Sequence, residues 1–184
     1  MKSYIKTQSI LLSALILGAG MTWIWLSRIP GEMQSQVDIR VPQIGFESPA
    51  FSLPTLNGNQ INSDDLTGRP YILNFWASWC PPCQAEMPDF QTVSDEFSDT
   101  DLLVIAINAR NQDSIQNVEN FLENKNISFM IPLDHTGAVS KDYNIHSLPT
   151  TFFIDRQGTI ARIIIGGPIP LPLLRTEAEN LLQE

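Results

Sequence analysis

Residues 7–27 carry no charged side chain, and residues 10–26 are almost continuously apolar. As a helix this run would be about 31 Å long, close to the roughly 30 Å hydrocarbon core of a bilayer. Trp23 and Trp25 stand near its far end, and tryptophan favours the membrane–water interface. The pattern predicts an uncleaved signal anchor over residues 1–28. Lys2 and Lys6 precede the run and only Arg28 follows it. That asymmetry keeps the N-terminus in the cytoplasm and sends the remainder across. The competing reading is a cleaved signal peptide, whose apolar region is about 7–15 residues before a small-x-small site. Gly18-Ala19-Gly20 suits it poorly, because apolar sequence continues to Leu26. Residues 29–41 are polar, hold Pro30 and Gly31, and read as a tether. Residues 42–184 then read as one domain.

Within that domain the apolar period switches repeatedly. Phe51-Ser52-Leu53 and Gln60-Ile61-Asn62 flank Asn57-Gly58, which predicts a hairpin. Tyr71-Ile72-Leu73-Asn74-Phe75-Trp76 is nearly continuous, as for a strand buried on both faces. Residues 84–97 place Met87, Phe90, Val93 and Phe97 at helical spacing. Residues 102–107 read as a second buried strand. Residues 114–124 read as a helix with Ile115, Val118, Phe121 and Leu122 on one face. Residues 128–133 read as a third short strand, and residues 136–143 as a short helix. Residues 150–155 and 159–165, joined by Arg156-Gln157-Gly158, read as an antiparallel hairpin. After Pro168, Pro170 and Pro172, residues 173–183 close as an amphipathic helix. This alternation predicts an α/β domain with a mixed central sheet.

Composition narrows the chemistry. Hydrophobic residues make up 43% of the 184 residues, enough for a packed core. The net charge of −9 argues against nucleic-acid binding, which needs clustered Lys and Arg. All 20 acidic residues follow Arg28, and so acidic a part reads first as a solvated surface. Two cysteines exclude a disulfide-stapled mini-fold and a four-cysteine zinc or iron–sulfur site within the chain. No cysteine lies near the leader, which excludes a lipidated N-terminal cysteine.

The two cysteines are Cys80 and Cys83, separated by Pro81 and Pro82. A Cys-x-x-Cys after a buried strand and at the opening of a helix is a dithiol site. The partial positive charge and free N–H groups of the helix start stabilise a thiolate there. Its pKa can fall from about 8.5 to roughly 3.5–7.5. Pro81 and Pro82 suit a first helical turn, where missing N–H groups cost little. A purely structural disulfide closing so small a loop removes little chain entropy. A zinc site would need two further ligands, and His135 and His146 lack the usual spacing. No metal is expected.

The stretch Asn74-Phe75-Trp76-Ala77-Ser78-Trp79-Cys80-Pro81-Pro82-Cys83 resembles the active-site motif of the TlpA/ResA/CcmG-like membrane-anchored thiol–disulfide oxidoreductases of the thioredoxin superfamily. Gly45-Phe46-Glu47-Ser48-Pro49-Ala50-Phe51-Ser52-Leu53 and Leu148-Pro149-Thr150-Thr151-Phe152-Phe153-Ile154-Asp155 extend the resemblance from about Gly45 to the C-terminal helix. It implies a thioredoxin-like fold with an N-terminal hairpin extension and an inserted helix and strand between Asn108 and Leu133. It implies that Cys80 is the nucleophile, Cys83 the resolving cysteine and Pro149 the cis-proline lying against the dithiol. Leu148 would offer backbone groups to substrate, with Trp79, Pro81 and Pro82 beside the dithiol. Trp76 is expected in the core.

Thioredoxin has a buried aspartate where this chain has Asn74. The ResA-like pattern instead places a glutamate three residues after the second cysteine, here Glu86. Partial burial would raise its pKa and let it shuttle protons to the cysteines.

The resemblance implies exchange with protein dithiols and disulfides, with no cofactor beyond the Cys80–Cys83 disulfide. Apocytochrome c is the implied substrate and a CcdA/DsbD-like transmembrane protein the implied reductant. The domain would lie on the extracytoplasmic, periplasmic side of a bacterial cytoplasmic membrane. A disulfide-forming oxidase would use the same residues in reverse. A thiol peroxidase needs a threonine where Ala77 stands, and a Sco-like copper-delivery protein needs three residues between its cysteines.

Overall fold

The computed structural model describes Gly18, residues 21–23 and residues 42–183. The rest of the expected anchor at 1–28 and the tether at 29–41 lie outside the described residues. Among the described residues no helix is long and apolar enough to cross a membrane. The chain divides into two units, Met1–Ile39 and Arg40–Glu184. In the first, Gly18 and residues 21–23 are helical, and the Thr22 hydroxyl donates to the Gly18 carbonyl at 3.0 Å.

A hairpin of β1 (Ser52–Pro54) and β2 (Gln60–Asn62) comes first. The central sheet follows, built from β3 (Tyr71–Trp76), β4 (Leu103–Asn108), β5 (Thr150–Ile154) and β6 (Ile160–Ile165) in the order β4-β3-β5-β6. β3 runs parallel to β4 and antiparallel to β5, and β5 is antiparallel to β6. The sheet is therefore mixed, as the pattern predicts. The parallel step needs a crossover, supplied by α1 (Pro81–Glu96). The other helices are α2 (Ile115–Lys125), α3 (Ala138–Asp142) and α4 (Leu171–Gln183).

Every residue of β3 is buried, because both faces of the sheet are covered. Successive side chains alternate between two cores. Ile72 and Trp76 meet Met87, Phe90 and Val93 of α1, Val118 and Leu122 of α2, and Leu174 of α4. Leu73 and Phe75 meet Ile105, Ile107, Phe152, the hairpin's Leu53 and Ile61, and Tyr143 after α3. Trp76 is fully buried, with its ring 5.4 Å from that of Phe121.

Two elements differ from the pattern reading. The helix read from residue 84 begins at Pro81, since two prolines in the first turn forfeit only N–H groups that have no helical partner. The strand read at 128–133 is reduced to isolated parallel bridges, Ile105 with Met130 and Asn108 with Leu133. Pro132 has no N–H to give a regular ladder, although its carbonyl accepts from the Asn108 amide at 2.8 Å. This segment is also laced to the hairpin side. Leu133 N–H donates to the Pro54 carbonyl at 2.8 Å and Leu56 N–H to that of Ile131 at 3.1 Å.

Tyr143 fastens the chain before β1 to the far core. Its buried ring sits 5.1 Å from those of Phe75 and Phe152, and its hydroxyl donates to the Pro49 carbonyl at 2.8 Å. Removing that hydroxyl leaves the ring packing and orphans an acceptor. Tyr143→Phe should therefore lower stability by about 1–2 kcal/mol in urea denaturation, with the denaturant slope unchanged.

Candidate active site

β3 ends at Trp76, the chain turns through Ala77, Ser78 and Trp79, and α1 opens. Cys80 is the residue capping α1, and its sulfur accepts from the Cys83 N–H at 3.3 Å. The two cysteines are joined in a disulfide, with Cys80 3% exposed and Cys83 fully buried. No acidic residue lies in the first turn of α1. A thiolate on Cys80 would face the positive end of the helix without a like charge on that turn. Pro81 is exposed and Pro82 half-buried in the same turn.

The turn before Cys80 is held by one carboxylate. Asp113 accepts from the Ser78 N–H and hydroxyl, both at 2.6 Å, from Asn108 Nδ2 at 3.0 Å and from Ser114 N–H at 2.8 Å. Burial alone would raise its pKa, but the bonds from Asn108, Ser78 and Ser114 outweigh it and hold the carboxyl below its usual value. Trp79 beside it is 51% exposed, and its indole N–H donates to the Gln112 carbonyl at 2.8 Å. The segment leading into α2 thus grips the residues leading into the dithiol.

Pro149 lies in a cis Leu148–Pro149 bond at the start of β5 and is buried, with Leu148 half-buried before it. The Pro149 carbonyl accepts from Gly166 N–H at 2.8 Å. That contact brings in the turn after β6, which holds a second cis bond at Gly167–Pro168. A Cβ on Gly167 would stand 2.4 Å from Glu86 Oε2 and 2.7 Å from Pro149 Cγ. Glycine is needed there for close approach, since no methyl group fits between those atoms.

Glu86 is fully buried on α1, one turn beyond Cys83. Its Oε1 accepts from Asn74 Nδ2 at 2.9 Å, and its Oε2 from Ile169 N–H at 3.0 Å. Burial pushes its pKa up to about 7, against the pull of those two donors, and Asp89 adds a further push upward. Sequence reasoning anticipated partial burial; the burial is complete.

The structure brings Cys80, Cys83, Glu86 and Pro149 to one end of the sheet, with Trp79, Pro81, Pro82 and Leu148 around them. His135 and His146 are exposed, and among the described residues no His, Cys, Asp or Glu cluster could hold a metal ion. A groove of about 1450 Å³ lies between the hairpin and the α2 segment, and neither cysteine lines it. Sequence reasoning missed Asp113, Gly167 and the Ile169 amide, and it took Asn74 only as a lost proton carrier. The double glycine before Pro168 is the one local signal that pointed to a close backbone approach.

The sequence profile of the AhpC/TSA family matches residues 44–163. Thioredoxin-like protein YneN of Bacillus subtilis is 38% identical over 125 residues, 67% of this chain and 72% of that protein. Thiol-disulfide oxidoreductase ResA of Bacillus thuringiensis is 34% identical over 124 residues, 67% of this chain and 70% of that one. The crystal structure of StoA from Bacillus subtilis superposes with a TM-score of 0.62 at 33% identity, over 71% of this chain and 96% of that one.

The folded protein keeps the Glu86 proton to about pH 7, whereas an unfolded chain releases it near 4.5. Folding takes up a proton between those values, so stability falls as pH rises through that window. Paired carboxylates such as Asp113, whose pKa is lowered, act oppositely and at lower pH. Glu86→Gln should abolish the Glu86 slope. Between pH 4.5 and 7 the oxidised wild type should lose about 3 kcal/mol relative to the variant in urea denaturation. Parallel curves would refute the burial of an ionisable group here. Gly167→Ala should cost about 1–3 kcal/mol by overpacking, read in urea denaturation. Unchanged stability would show that the turn after β6 yields freely.

Proposed function

This chain belongs to the AhpC/TSA family and is a ResA-like thiol–disulfide oxidoreductase of the thioredoxin superfamily, and on that premise we propose that it works as a reductase of protein disulfides. Glu86, a buried carboxyl with its pKa raised to about 7, one helical turn from Cys83, supports thiol–disulfide exchange in either direction, and the ResA-like motif supports the reductive one. A group so placed takes and returns protons at neutral pH, as resolving a mixed disulfide requires.

In this mechanism Cys80 is the nucleophile. Its thiolate, favoured by the N-terminus of α1, attacks one sulfur of a substrate disulfide. A Cys80–substrate bond forms, the substrate bond breaks, and the departing sulfur takes a proton from solvent. Cys83 then gives its proton to the Glu86 carboxylate and attacks Cys80 Sγ. The Cys80–substrate bond breaks, the second substrate sulfur leaves as a thiolate and takes up the proton held on Glu86, and the Cys80–Cys83 disulfide remains. Two electrons pass to the substrate. Trp79, Pro81 and Pro82 flank the attacked bond, and Leu148, beside the cis-Pro149, offers backbone groups to the extended substrate chain.

The oxidised site needs an external dithiol to renew it, and a CcdA/DsbD-like transmembrane reductant fills that role. Apocytochrome c, whose haem-attachment cysteines must be reduced, is the proposed substrate. The uncharged run at residues 7–27 supports a single-pass anchor, with the catalytic domain on the extracytoplasmic side.

Cys83→Ser should accumulate mixed disulfides with substrate through Cys80, visible on non-reducing gels and lost when Cys80 is also replaced. The Cys80–Cys83 couple should have a reduction potential near that of thioredoxin, about −270 mV. A potential near −120 mV would overturn the reductive direction in favour of disulfide formation.

A further inference from the structure

Asn74 lies in the middle of β3, six residues before Cys80, and is fully buried. Its Nδ2 donates twice, to Glu86 Oε1 at 2.9 Å and to Thr151 Oγ1 at 3.0 Å. Its Oδ1 is buried and has no hydrogen-bond partner. A buried carbonyl oxygen without a donor is costly, and such an atom calls for an explanation.

The arrangement is matched to an ionised Glu86. Both carboxylate oxygens only accept, one from Asn74 and one from the Ile169 N–H. A proton on the carboxyl changes the demand, because its O–H then needs an acceptor. The Ile169 N–H is a backbone donor and cannot become one. The Asn74 amide can. Its two ends are nearly the same size, and half a turn about its last side-chain bond exchanges them. The oxygen would then accept from the protonated Oε1. It would also accept from Thr151, whose hydroxyl donates as readily as it accepts. The N–H₂ would move to the place now held by the unpartnered oxygen. One polar end of the amide is unpartnered in either orientation, so neither protonation state of Glu86 is locked in.

We propose that Asn74 is a positioning residue for the proton step, its amide turning over as Glu86 gains or loses a proton, so that each form of the carboxyl meets a matched partner. This rests on the reading of Glu86 as the proton acceptor. Leucine in that position could serve neither form. Aspartate would set a second acid against the first, and the two would titrate as a coupled pair. The other groups on Glu86 leave the part to Asn74. Asp89, on the same helix, acts only through its charge, and the turn after β6 presents the backbone N–H of Ile169.

The test is an NMR titration of the full chain, following the Glu86 carboxyl carbon and the Asn74 side-chain N–H₂ resonances. In the wild type the Asn74 resonances should shift with the same midpoint as Glu86, and in Glu86→Gln they should not shift. In Asn74→Leu both forms of the carboxyl lose their partner, but the charge-assisted bond to the carboxylate is the stronger, so the Glu86 midpoint should rise by less than about one pH unit. Asn74 resonances that stay fixed while Glu86 titrates would overturn the proposal, as would a Glu86 midpoint lowered in Asn74→Leu. If that variant does not fold, the wild-type resonances decide alone. A wild type that reduces insulin while Asn74 stays silent leaves the reductase reading standing and removes only this inference. A Glu86 that does not titrate near neutrality removes both.

Discussion

Glu86 is a carboxyl group sealed from water and answered by two N–H donors, and the dithiol end of the domain is built around that burial. Two separate parts of the chain close on it. β3 contributes Asn74, the turn after β6 contributes the Ile169 amide, and the side-chain-free Gly167 lets that turn come close enough. Pro149 reaches the same point, because the methyl that Gly167 lacks would strike it too. The carboxyl and the cis-proline therefore share one packed volume, one helical turn from Cys83, and a shift in either is felt by the other.

The sheet order explains how these parts meet. β3 lies between its parallel partner β4 and its antiparallel partner β5. Its C-terminal end feeds the helix that carries both cysteines, while β5 starts beside it immediately after Pro149. The same end receives the segment between β4 and α2, whose Asp113 closes the turn before Cys80. The Cys80 sulfur thus sits at a helix end flanked by segments from both neighbours of β3. Trp79 remains exposed between them.

What was legible in the sequence follows from how local each signal is. The β3 run, the helical spacing from Met87 to Val93 and the Cys80–Cys83 pair are written in neighbouring residues, and so is the spacing that aligns Glu86 with Cys83. The complete burial of Glu86 was not, because it depends on a turn more than eighty residues away. The Ile169 contact is made by a backbone amide, which any residue other than proline would supply, so no side chain announces it. Asp113 reads as one acid among 20, and only the folded chain turns its carboxylate onto Ser78. The strand expected at 128–133 had the right composition, but a ladder needs N–H groups in register and Pro132 breaks that register. At Asn74 the sequence showed what the residue is unable to do; its two donated bonds show what it does.

The lacing of residues 128–133 bears on what holds the hairpin. β1 and β2 are three residues each, too short to hold together in water as an isolated hairpin. Their backbone partners at Ile131 and Leu133 are made much later in the chain, and those in turn rest on β4. Closing so long a loop costs entropy before any contact repays it. The strands that open the domain thus depend for their hold on a segment from much later in the chain, so a change at Ile131 or Leu133 would loosen the hairpin as well.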